Sequence, residues 1–194
     1  MCTAAGFGGG PMCYSIVDMS LQGGFGDVTL KNQILIPTCT ERICAVKHVN
    51  QVDIWVIGQK YNTNQYHAFL VSPGSINTSP VISSLGPVLG ITGQSFLGYL
   101  KPSPDGTKVC NTLYGINSFL LMDFDAATGV LWNVQTSPAT YGENYGCEFS
   151  PDGTRLYVTE MSPTSLLWQL DMTQPTAAAI FASAVQSFKK FKLI

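Results

Sequence analysis

The sequence predicts an all-β fold built from repeated four-stranded antiparallel units, and three observations carry that reading. The pentapeptide Ser-Pro-Asp-Gly-Thr occurs twice, at residues 103–107 and 150–154, which are 47 residues apart. Each copy is followed by a basic residue and a strand-like run, Lys108-Val109-Cys110 and Arg155-Leu156-Tyr157-Val158-Thr159. Nineteen glycines and eleven prolines in 194 residues match a turn-rich chain, and no convincing amphipathic helix precedes the end of the sequence. A turn motif that returns at this interval is the mark of a repeat about the length of one propeller blade of four strands.

The turn has a physical basis. Pro104 and Pro151 fix φ for the first corner, Asp105 and Asp152 bond neighbouring amides, and Gly106 and Gly153 take the positive φ that closes the reversal. In the last repeat, 145–150 is the first strand, 155–160 the second, 165–171 the third, and 177–185 the expected fourth. Leu166, Trp168 and Leu170 alternate with Leu167, Gln169 and Asp171, as a strand requires. The preceding repeat has the same order: 98–102, 108–113, 118–124, a turn at 125–129, and 130–134. Both faces of Phe119-Leu120-Leu121-Met122 are apolar, which suits a strand sandwiched between neighbours. A more divergent copy lies upstream, with strands at 43–48, 52–59, 66–72 and 78–84. Segments 14–21 and 28–36 read as the tail of another blade.

Three regions follow: a flexible lead-in at 1–13, propeller repeats at 14–185 and a basic tail at 186–194. The lead-in lacks a basic n-region and an apolar h-region, and reads as a flexible start or as one imposed on a longer gene. The tail breaks the blade pattern and reads either as a ragged end or as a short basic helix. At about 47 residues per blade the chain holds about four, one of them incomplete, whereas closed propellers have about 4–8. The expected fold is therefore a partial β-propeller whose terminal faces need cover from further blades of a longer chain.

Net charge is −2, which argues against a phosphate-binding footprint, so no nucleic-acid partner is expected. No segment is apolar for long enough to span a bilayer as a helix. The six cysteines form no C-x-x-C pair and are joined by only two histidines, so buried structural thiols are expected and no metal or other cofactor. No nucleophile elbow, P-loop or H-E-x-x-H is present, and the carboxylates show no paired acid–base spacing, so no catalytic residue is assigned. Lys47, Lys101 and Glu148 fall at equivalent places near the ends of first strands, which line the channel of a propeller. They are the candidate ligand-binding residues, against the alternative that they face neighbouring blades or water.

Residues 149–159, Phe-Ser-Pro-Asp-Gly-Thr-Arg-Leu-Tyr-Val-Thr, resemble the core of the WD-like, YVTN-type β-propeller repeats, with Glu160 in place of the usual Asn. Residues 100–109 are a weaker copy. The stretch Asp18–Val28 with Ala45-Val46-Lys47-His48 and Asp53-Ile54-Trp55-Val56 is similar to propellers of large exported Bacteroidota proteins. The resemblance implies a secreted or cell-surface setting and a non-catalytic scaffold or binding module for a protein or glycan ligand. A propeller enzyme of the lactonase or lyase type is the alternative.

Overall fold

The computed structural model describes residues 2–3, 9–90, 95–161 and 165–189. Its strands are β1 (Cys2–Thr3), β2 (Gly10–Asp18), β3 (Asp27–Lys47), β4 (Ile54–Lys60), β5 (Thr63–Ser72), β6 (Ser75–Ile76), β7 (Val81–Leu89), β8 (Leu100–Pro102), β9 (Lys108–Leu113), β10 (Ser118–Asp125), β11 (Val130–Thr136), β12 (Asn144–Phe149), β13 (Arg155–Glu160), β14 (Leu166–Asp171) and β15 (Val185–Lys189). A short α-helix, α1 (Ala177–Ala182), precedes β15. The fold is all-β, and among the described residues every strand pairing is antiparallel.

Two four-stranded meanders, β8 to β11 and β12 to β15, form the C-terminal half. Both repeated turns have the same hydrogen bonds. The Ser103 amide donates to the Lys108 carbonyl at 2.8 Å, and the Ser150 amide to that of Arg155 at 2.9 Å. The Gly106 and Gly153 amides close the turns onto the Ser103 and Ser150 carbonyls, with φ of +72° and +71°. The basic residue after each turn meets an aspartate directly across the next hairpin. Lys108 Nζ lies 2.7 Å from Asp123 Oδ1, and Arg155 Nη1 lies 2.7 Å from Asp171 Oδ1.

The sheets stack through β10, whose two faces are both buried. Leu120, Met122 and Phe124 join an apolar cluster with Val46, Trp55, Ile57 and Leu89 of the N-terminal sheet. Phe119 and Leu121 point the other way, into a second cluster with Cys147, Phe149, Leu156, Val158 and Leu170. Burial of alternate residues on opposite faces explains the unbroken apolar run, because such a strand has no solvent side. Trp55 adds a polar tie, its indole donating to the Ala126 carbonyl at 2.9 Å.

The N-terminal half departs from the expected repeat. Segments 14–21 and 28–36 do not belong to a separate sheet. They fall in the β2–β3 hairpin of a single seven-stranded sheet, ordered β1-β2-β3-β4-β5-β6 with β7 against β5. β3 runs for 21 residues and changes partner partway, from β2 over Asp27–Cys39 to β4 over Cys39–Lys47. Pro37, which has no amide to donate, lies beside this changeover. Among the described residues there are three sheets.

The fourth strand of the last repeat is also displaced. Residues 177–185 were expected to supply it, but 177–182 are helical and the strand follows at Val185–Lys189. Thr176 caps the helix, its side chain accepting from the Ala179 amide at 3.2 Å. Ala177, Ala178 and Ala179 are the strongest helix formers available, so a capped alanine run overrides the strand pattern. Strands thus cover 10–13 and 186–189, on either side of the expected repeat region 14–185. Residues 1 and 4–8 of the lead-in and 190–194 of the basic tail lie outside the described residues.

Candidate functional site: the inner-strand face

The first strands of the two C-terminal sheets, β8 and β12, are neighbours, and β8 also adjoins β3. This arrangement brings Lys101 and Glu148 together. Lys101 pairs with Cys110 in its sheet and Glu148 with Tyr157 in the next, which is the same register in two repeats. Lys101 Nζ lies 2.8 Å from Glu148 Oε2, and this bond holds the ammonium above its ordinary pKa. The same ammonium stands 5.9 Å over the centre of the Tyr99 ring. Lys47, the third candidate, is exposed at the end of β3 opposite Ile54 and takes no part in this pair.

Beside the pair is a pocket of about 270 Å³ walled by Glu41, Arg42, Tyr99 and Tyr145. Arg42 is 1 % exposed and ties the pocket floor to two neighbouring segments. Its Nε donates to the Thr112 carbonyl at 3.1 Å, and its Nη2 to Thr112 at 2.8 Å, to Ser95 at 3.0 Å and to the Leu97 carbonyl. Burial pushes the guanidinium down to about 10, against the favourable fields of Tyr66 and Glu41. Glu41 accepts from the Gly98 amide at 2.8 Å. Gly98 is required there. Its φ is +136°, and a Cβ would lie 2.5 Å from the Thr112 carbonyl oxygen.

Three tyrosines complete the face. Tyr145 meets Tyr99 edge-to-face with centroids 5.5 Å apart, and Tyr114 likewise at 6.1 Å. Burial raises the Tyr145 phenol, and its bond to Glu41 adds to the effect. Tyr114 is raised by its bond to Glu143. The face therefore offers ring surfaces, an ammonium and carboxylates within one neighbourhood.

The sequence pointed to Lys101 and Glu148 but passed over Glu41, Arg42, Tyr99, Tyr114 and Tyr145. A trace of each was present. Arg42 is one of two arginines and precedes the apolar run at Ile43, while Tyr99 and Tyr145 stand near the start of the expected first strands, 98–102 and 145–150, of successive repeats. Their convergence depends on how the sheets stack.

Two other pockets are larger. One, of about 420 Å³, lies between the repeated turns and includes Asp105, Asp152, Phe149 and Met172. Its carboxylates are engaged by their own turns, Asp105 with Ser103 and Thr107, and Asp152 with Ser150 and Thr154. The other, of about 440 Å³, separates β10 and β11 from α1. Cys39, Cys44, Cys110 and Cys147 are buried free thiols. Among the described residues no group of three or more His, Cys, Asp or Glu could hold a metal ion, and no helix is long and apolar enough to cross a membrane.

No protein-family model matches the chain, and no curated protein matches it in sequence. Solved structures of similar shape include a candidate 6-phosphogluconolactonase from Bacteroides uniformis, 19% identical with a TM-score of 0.49, over 74% of this chain and 39% of that one. A second, from Bacteroides fragilis, is 12% identical with a TM-score of 0.48, over 78% and 38%. Hydrazine synthase from Kuenenia stuttgartiensis is 14% identical with a TM-score of 0.49, over 81% and 40%. The likeness is too distant to bear on activity, and the chain spans about two fifths of the length of these structures.

Proposed function

We propose that this chain is a non-catalytic binding module built on part of a β-propeller, within a larger secreted or cell-surface protein. In this reading the stacked sheets are blades, and β3, β8 and β12 are their channel-lining strands. The repeat period and the stacking of β10 between two sheets support the fold assignment. The resemblance of residues 149–159 to YVTN-type repeats supports the setting. The observation that carries the function is the meeting of Lys101 with Glu148 over Tyr99, at the rim of the pocket walled by Glu41 and Tyr145.

The ligand this face fits has hydroxyls for the charged groups and an apolar edge for the rings, as a glycan or a protein segment does. Screening the chain against a glycan array and a panel of exported proteins, then titrating hits by calorimetry, tests the proposal. Tyr99→Ala and Glu148→Ala should each weaken binding at least tenfold while leaving the melting temperature within a few degrees. A ligand whose affinity ignores both substitutions would place the binding site elsewhere.

A further inference from the structure

Two buried thiols outside the binding face touch each other across a sheet boundary. Cys110, on β9, is 0 % exposed, and Cys147, on β12, is 6 % exposed. They belong to the same apolar cluster between the β8–β11 and β12–β15 sheets. The Cys147 thiol lies 4.0 Å from the Cys110 carbonyl oxygen, and the two thiols are hydrogen-bonded to each other. Both are free. The contact joins residues 37 apart in sequence and held in different sheets. Cys44, another buried thiol, packs in the other cluster.

We propose that Cys110 and Cys147 are the two halves of an oxidisable pair that closes into a disulfide, stapling the β8–β11 sheet to the β12–β15 sheet when a low-molecular-weight disulfide is the oxidant. Cys147 is the less covered of the two, 6 % exposed against 0 % for Cys110, so the first attack falls to Cys147. Its thiolate attacks one sulfur of glutathione disulfide, forming a mixed disulfide and expelling one glutathione thiolate, which takes up the proton released by Cys147. The Cys110 sulfur then attacks Cys147 Sγ, breaks the mixed bond and expels the second glutathione thiolate, which takes the Cys110 proton. Two protein thiols are oxidised, and one glutathione disulfide is reduced to two glutathiones. Because both thiols are covered, the oxidant gains access only when β12 parts from β9. Closure is therefore faster during refolding than in the native protein.

The test uses the full 194-residue chain, unfolded and reduced, then refolded with glutathione disulfide or with dithiothreitol. After alkylation, the protein is digested by chymotrypsin. No Lys or Arg lies between Cys110 and Cys147, so trypsin would leave both on one peptide, whereas cleavage after Tyr114 or Phe119 separates them. We expect one major bridge, Cys110 to Cys147, with two thiols lost. The melting temperature should rise by about 5–10 °C over the reduced protein and return with dithiothreitol. Cys44→Ser should keep the bridge, and Cys147→Ser should abolish both bridge and rise. Retention of all thiols, a stable mixed disulfide, a bridge to Cys44, or an oxidised protein no more stable than the reduced one would each overturn the proposal.

Discussion

Lys101 and Glu148 occupy the same place in successive turn-bearing repeats, 47 residues apart, and their side chains meet across a sheet boundary at 2.8 Å. Identical register in two stacked sheets delivers opposite charges to one point. The geometry is good, but the side chains are 34% and 62% exposed, so water screens much of the attraction. A double-mutant cycle with Lys101→Met and Glu148→Gln should give a coupling of about 0.2–1 kcal/mol by urea denaturation, and added salt should shrink it. The folded state holds Lys101 above the lysine value of 10.5. Its contribution is thus complete below that value and is lost as pH climbs through the raised one.

The two closing glycines separate conformational strain from crowding. Both have positive φ, but a Cβ on Gly106 would lie 3.0 Å from Val46 Cγ1, whereas one on Gly153 meets nothing nearer than Pro104 Cδ at 3.8 Å. Gly153→Val should destabilise by roughly 1–3 kcal/mol through backbone strain. Gly106→Val should cost more, because Val46 must also move. Equal losses for the two variants in calorimetry would show that Val46 yields freely.

Arg42 has the largest expected effect on stability. Removing its guanidinium leaves the carbonyls of Ser95, Leu97 and Thr112 without their donor inside the fold. Arg42→Met should cost about 3 kcal/mol or more. Arg42→Lys should recover only part, since an ammonium cannot span the same acceptors. A chemical-denaturation midpoint unchanged by Arg42→Met would show that these carbonyls find other partners.

Acid should loosen the repeated turn. Bonds from the Ser150 hydroxyl and from Thr154 lower the Asp152 carboxyl to about 2. The unfolded chain, with an ordinary carboxylate value of 3.8, binds that proton first as pH falls. The stability Asp152 adds is therefore present above about pH 4 and drains away toward pH 2. The melting temperature of Asp152→Asn should fall less steeply over that range than that of the parent. Parallel acid limbs would show that Asp152 does not govern the transition.

The legible parts of the fold were those with a local cause. The Pro-Asp-Gly turns, the spans of β9, β10, β13 and β14, and the two-sided burial of Phe119 to Met122 all follow from side-chain period and turn chemistry over a few residues. The helix at Ala177–Ala182 was legible in principle, from Thr176 and three alanines, but a repeat template expected a strand there. For the site, Lys101 and Glu148 were found because they obey the repeat. Arg42 and Glu41 were not, because they fall in the register shift between Cys39 and Ile43, where β3 joins β4.

The all-β character, the position of each repeated turn and the strands that follow it are written in local stretches of the chain, because strand alternation and turn dihedrals are settled within a hairpin. Long-range packing alone sets β3 against two partners in a seven-stranded sheet, brings Lys101 onto Glu148, buries Arg42 beside Tyr99 and Tyr145, and places Cys110 against Cys147. Each of these contacts joins residues from separate sheets or hairpins. Their meeting is set by how sheets twist and stack over one another, a balance of buried area and close packing that no short window of sequence contains.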